Sequence, residues 1–180
     1  MTEYSPKISI AHYDADLCKL ASSFHCGNTH IDSFLRGADS LSPEVGHTYV
    51  WLNEDKTTII GFYNITTGYI EQESDGRRYK IGGAIHINDF ALDEKYQGMT
   101  MGDGSDIHMS DLLMLECLER IEYIRQKHVG FTFVTLCSTD KGKRLYRRHQ
   151  FDNLEEDMNV SPLYGNEDQA IPMYLALGLE

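Results

Sequence analysis

A strand-like run, a helix-periodic run and a second strand-like run follow one another between residues 79 and 137. This order constrains the fold more than any other feature of the chain. Tyr79 to Leu92 (YKIGGAIHINDFAL) is rich in β-branched and aromatic residues. From Ser110 to Arg125 the apolar residues Leu112, Leu113, Leu115, Leu118, Ile121 and Ile124 fall at helical spacing. FTFVTLC, 131–137, is uncharged and rich in β-branched and aromatic residues, and reads as a buried strand. A strand joined through one helix to a strand of the same sheet makes a crossover, which places the strands around 86–92 and 131–137 parallel and adjacent. Such a pair can splay at its C-terminal ends and admit a narrow ligand.

The remaining segments read as antiparallel. Lys7 to Tyr13 alternates apolar and polar residues, a first strand. Asp14 to Phe24 sets Leu17, Leu20 and Ala21 at helical spacing behind an Asp14 cap, and a turn at Cys26-Gly27-Asn28 leads into a second short helix, IDSFLRGADSL. His47–Leu52 and Thr57–Ile70 are strand runs joined by Asn53-Glu54-Asp55-Lys56, an antiparallel hairpin. The polar EQESDGRR at 71–78 reads as a loop. Asp140 to His149 is a short basic helix, and IPMYLAL at 171–177 the last strand. The expected fold class is α/β (α+β), a mixed, mostly antiparallel sheet of six or seven strands flanked by helices. A length of 180 residues fits a single domain, 1–180.

Several classes are disfavoured. No stretch approaches the roughly 18 apolar residues that span a bilayer, and MTEYSPKISIAHYD lacks a secretory signal, so the expectation is cytoplasmic with no membrane partner. Cys117 and Cys137 lie in apolar runs and read as small buried hydrophobes. Cys26, with His25 and His30 in FHCGNTH, suggests a metal, but no second ligand cluster has matching spacing, so a loop is preferred and no metal is expected. The net charge of −12 argues against nucleic acid as a partner. Positive charge gathers at one place, Lys141, Lys143, Arg144, Arg147 and Arg148, which reads either as a solvated helix face or as a local anion site.

The order of elements, FALDEKYQG ending the fourth strand and TLCSTDKGKRLYRRHQF ending the fifth, resembles the GNAT superfamily of N-acetyltransferases. FHCGNTHIDSFLRGADS followed by TYVW and IIGFYNITTGYI is similar to the subgroup that includes the acetyltransferase toxins of toxin–antitoxin systems. The resemblance covers residues 5 to 177 and implies acetyl-CoA as cosubstrate. The implied reaction is acetyl transfer to a primary amine by direct attack. The acidic surface favours a cationic acceptor, a small molecule or a protein amine. Two other readings stay open, a toxin acetylating an aminoacyl-tRNA and a non-catalytic CoA-binding or partner-binding scaffold. A homodimer is also left open.

The resemblance assigns residues. The backbone of Phe90, Ala91 and Leu92 would take the pantetheine arm, with the Leu92 N–H as oxyanion donor. The pyrophosphate would sit on the turn Gln97, Gly98, Met99, Thr100, Met101 and Gly102, where glycine allows close approach and a helix start adds partial positive charge. Tyr146 falls where family members carry the tyrosine that protonates the departing thiolate. Counting back six residues from Leu92 gives His86 as the base, with Asp89 on the opposite strand face as its competitor. Arg144 and Arg147 are expected near the adenosine phosphates. The chain departs from the family after Gly98, where DGSDIHM delays the helix to Ser110 through an insertion of roughly 8–10 residues. The cradle is then either 97–102 or split between Gln97-Gly98 and the helix start at Ser110, with Asp103 and Asp106 pointing away.

Overall fold

The computed structural model describes residues 8–102, 104, 106–161 and 170–178. The strands are β1 (Ser9–His12), β2 (His47–Leu52), β3 (Ile59–Ser74), β4 (Arg77–Leu92), β5 (Phe133–Ser138), β6 (Asp152–Asn153), β7 (Met158–Ser161) and β8 (Ile171–Ala176). The helices are α1 (Thr29–Arg36), α2 (Met109–Lys127) and α3 (Lys143–Arg148). The strand order is β1-β2-β3-β4-β5-β8-β6, with β7 paired to β3. The sheet thus has eight strands among the described residues rather than six or seven. The two added strands, β6 and β7, hold too few residues for any periodicity to show. The expected crossover is present: β4 and β5 pair parallel, from Ala84 opposite Phe133 to Ile87 opposite Leu136. β5 pairs antiparallel with β8 from Phe133 opposite Ala176 to Ser138 opposite Ile171.

The chain forms two compact units, and β3 and β4 contribute residues to each. The first comprises Met1–Asn64 and Asp89–Leu113. β1 and β2 pair antiparallel within it, Ser9 opposite Leu52. Its core gathers Tyr13, Phe24, Leu35, Val50, Ile59 and Phe62, all essentially buried. The phenyl rings of Phe24 and Phe62 meet edge to face with centroids 5.4 Å apart. The buried Tyr13 hydroxyl donates to Leu35 O at 2.9 Å, which satisfies the polar tip of an apolar body. The second unit comprises Ile65–Asn88 and Met114–Glu180. Met114, Cys117 and Ile121 on its part of α2 are buried, as are Val134, Leu136, Phe151 and Met173.

Four local readings need correction. Residues 71–78 are not a loop, because β3 continues to Ser74 and β4 begins at Arg77. Asp75 (φ 52°) and Gly76 (φ 71°) are both left-handed, as in the two-residue turn that matches strand twist, so the Asp-Gly pair outweighs the polarity around it. Residues 14–24 form a 3-10 turn at Cys18–Ser23 rather than an α-helix, although Asp14 Oδ1 does accept from Asp16 N and Leu17 N. α2 starts at Met109, so Ser110 lies inside its first turn, and the capping carbonyl is that of His108, which accepts from Asp111 N and Leu112 N. The first strand starts at Ser9; Lys7, like Asp103, lies outside the described residues.

Candidate active site

In the first unit the floor of the site is the end of β4. Ala91 and Leu92 are buried beneath a close approach of β3. A Cβ on Gly61 would lie 2.6 Å from Leu92 Cδ2, 2.8 Å from Ala91 O and 3.0 Å from Leu113 Cδ2. Only glycine lets β3 pass so near the backbone expected to receive a ligand.

Beyond Leu92 the chain makes a 3-10 turn at Glu94–Tyr96 and then a tight reverse turn. Gln97 has φ −64° and ψ 131°, Gly98 has φ 75°, and Met99 N donates to Tyr96 O at 3.2 Å. These are the angles of a type II turn, whose third residue must be left-handed, and that accounts for Gly98. The following residues do not run into the helix. Thr100 and His108 form an antiparallel bridge, and Met109 N donates to Met99 O at 2.9 Å. The excursion is therefore closed at its neck. The insertion loops out between Thr100 and His108, and the glycine turn is rejoined directly to the first residue of α2. Gly102 (φ 72°) and the exposed Asp106 belong to the excursion.

Two acid–base candidates sit on opposite faces of β4, one in each unit. His86, in the second unit, is 1% exposed, and its Nδ1 lies 2.8 Å from Thr135 Oγ1 on β5. Burial without a compensating anion pulls its pKa down to about 4, so the imidazole is neutral near pH 7. Asp89, in the first unit, is half-buried. Burial pushes its carboxyl up to about 6, against a smaller opposing pull from His30.

In the second unit α3 carries Tyr146, 8% exposed, with its ring edge to face against Phe151 at 6.0 Å. Phe151 N donates to Tyr146 O at 3.1 Å, so the turn after α3 folds back onto the tyrosine. Arg144 and Arg147 are exposed on the same helix, and neither forms an ion pair among the described residues.

No family model matches the chain. Over 124 residues, 64% of this chain, it is 31% identical to the probable toxin TacT of Sinorhizobium fredii (strain NBRC 101917 / NGR234), and the match spans 64% of that protein's length. A crystal structure of AtaTR bound with acetyl-CoA has a TM-score of 0.68 at 16% identity, covering 94% of this chain and 93% of that one. AtaT complexed with acetyl-methionyl-tRNAfMet has a TM-score of 0.63 at 15% identity, covering 94% and 95%. The chain is a GNAT-fold protein. It is similar to the subgroup that holds the acetyltransferase toxins.

Placed on the GNAT fold, Phe90, Ala91, Leu92, Gln97, Gly98, Met99 and the start of α2 with Ser110 gather in the first unit. Thr100 lies at the neck, and Met101 and Gly102 are carried off with the excursion. His86, Tyr146, Arg144 and Arg147 belong to the second unit. Sequence reasoning missed three residues that build the first group. Gly61 is one, His108 another, and Asp93 the third. Asp93 is 2% exposed and accepts from Lys95 N and His25 N at 3.0 Å each. The acidic residue in LDEKY carried a cap signal, since an Asp before a short helix commonly accepts from its first turn. Gly61 carried none, because a glycine inside a strand run shows only that something approaches, and not what.

Proposed function

We propose that the protein is an acetyl-CoA-dependent N-acetyltransferase of toxin type, whose acceptor is the α-amino group of an aminoacyl-tRNA. The observation that carries the reading is the closed neck at Thr100 and His108. Without it the insertion would separate the glycine turn from a helix start. With it, a type II turn meets the N-terminus of a 19-residue helix, the arrangement that suits a pyrophosphate. The likeness to toxin acetyltransferases, one bound with acetyl-CoA and one with acetyl-methionyl-tRNAfMet, supports the same reading.

Acetyl-CoA supplies the acetyl group as a thioester. In this reading Gln97 to Met99 and the first turn of α2 hold its pyrophosphate, the backbone of Phe90 to Leu92 its pantetheine arm, and the Leu92 N–H donates to the carbonyl oxygen. Asp89 takes the proton of the attacking amine. His86 is disfavoured for that role because it is buried, made a weak base by that burial, and engaged by Thr135. A base with a pKa of about 6 is matched to an α-amine, whose pKa is about 8, far better than to a lysine amine at about 10.4. Tyr146 gives a proton to the leaving thiolate.

The net charge of −12 does not stand against a tRNA acceptor. Only the charged 3′ end has to reach the reacting centre, and a local cluster such as Lys141 to Arg148 meets that need where a chain-wide sum cannot describe it. Replacing Arg144 and Arg147 with Gln is expected to raise the KM for acetyl-CoA several-fold at low salt. The difference should shrink as salt rises, because the lost attraction is screened. An unchanged KM at low salt would remove these residues from the anion site.

The proposal is tested by thiol release from acetyl-CoA with charged tRNA, uncharged tRNA, polyamines and lysine peptides as acceptors. Release only with charged tRNA is expected. Release with polyamines or lysine peptides alone would overturn the acceptor. Absence of CoA binding would overturn the acetyltransferase reading itself.

A further inference from the structure

Apart from the pull of His30 on Asp89, the run FHCGNTH at 24–30 has no place in the chemistry above. A metal does not explain it: among the described residues no group of three or more His, Cys, Asp or Glu is placed to hold an ion. Burial and the neighbouring Asp32 push the Cys26 thiol up to about 12, the opposite of a metal-binding thiolate.

Its backbone shows another use. His25 N donates to Asp93 Oδ2 at 3.0 Å, and Glu94 N donates to His25 O at 2.8 Å. Cys26 N donates to Asp32 Oδ1 at 2.8 Å, and Cys26 O accepts from Gln97 Nε2 at 2.8 Å. The same Gln97 nitrogen donates to Leu92 O at 3.0 Å. Asp93 N donates to Ile60 O at 2.9 Å, which ties the start of the turn to β3. Asp93 and Asp32, the two carboxylates anchoring this strap, are 2% and 6% exposed.

We infer that residues 24–28 are a clamp on the segment from Leu92 to Met99, and that Gln97 is a positioning residue for the ligand-binding turn. The ligand is CoA, which rests on the function proposed above. The side-chain amide of Gln97 has two hydrogens, and both are spent on carbonyls, one at the end of β4 and one on the strap. It therefore has no donor left for a phosphate. Its part is to fix the angle at which the turn leaves the strand, and with it the placement of the Gly98 N–H, since Gln97 N and Met99 N already donate to Glu94 O and Tyr96 O. Gln97 is itself exposed, so removing its amide leaves the core intact and acts on the geometry of the turn.

Gln97→Met keeps length and volume and removes both donors. In the full chain it is expected to weaken CoA binding, measured by calorimetry, about tenfold. The KM for acetyl-CoA should rise in step, with kcat and melting temperature close to wild type. A residue serving only general stability would instead lower kcat and melting temperature together. Asp32→Ala opens the clamp from its other end, so the double variant should bind CoA no more weakly than the weaker of the two single variants. CoA affinity unchanged by Gln97→Met overturns the clamp alone, as does a double variant whose losses multiply. No CoA binding by the unsubstituted protein overturns the acetyltransferase reading and the clamp's ligand with it.

Discussion

Tyr146→Phe is expected to lower kcat by a factor on the order of 10² or more, the lower end of what a positioned proton donor contributes. The KM for acetyl-CoA and the melting temperature should stay near wild type. The substitution is clean because the ring survives. Its edge-to-face contact with Phe151 at 6.0 Å needs no hydroxyl, and α3 keeps its backbone bonds from Tyr146 N to Gly142 O and from Phe151 N to Tyr146 O. Only the O–H is lost. Gly142→Ala provides the contrast. Its Cβ would stand 3.0 Å from Tyr146 Cε2 and 3.2 Å from Ser138 Oγ, so it should displace the ring and lower turnover and stability together. Turnover unchanged in Tyr146→Phe would remove the proton-donor role, whatever Gly142→Ala does.

The frame of the molecule was legible because long periodic segments constrain one another. The crossover from β4 through α2 to β5 follows from three runs whose lengths and periods admit little else, and its parallel register is found at Ala84 to Ile87. What escaped were features set by single residues or by distant partners. The Asp75-Gly76 turn was hidden by the charged residues around it, although the dipeptide alone specifies a hairpin. The neck at Thr100 and His108 has no signature, since two bridging residues flanking a polar loop show no period. The site divides the same way. Gly98 and Tyr146 stand at motif positions. The clamp joins residues about 70 apart in the chain, pairing main-chain atoms of His25 and Cys26 with side-chain atoms of Asp93 and Gln97, and the main-chain half leaves no trace in side-chain identity.

Asp89→Asn is expected to abolish most turnover while making the protein more stable at pH 7, and the two effects share one cause. The carboxyl is held at about 6 by burial. Its folded pKa therefore lies above the unfolded value near 3.9, and the folded state binds the extra proton between these limits. Stability contributed by Asp89 is full below about 4 and is lost as pH rises through 6, a cost on the order of 2–3 kcal/mol at neutral pH. Asparagine removes that cost. It also removes the base, so kcat should fall by a factor on the order of 10². In the unsubstituted protein kcat/KM should rise with pH through about 6. His86 supplies an internal control. Its pKa of about 4 lies below the unfolded value near 6.5, so the unfolded state binds the extra proton between them, and stability falls on acidification through that window. In the unsubstituted protein the two opposing slopes largely cancel between pH 4 and 6. In Asp89→Asn only the histidine's slope remains, and urea midpoints measured from pH 7 to pH 4 should drop more steeply than in the unsubstituted protein. Equal slopes would show that Asp89 titrates as an ordinary surface carboxylate, and the base would then have to be sought in ordered water rather than in this side chain.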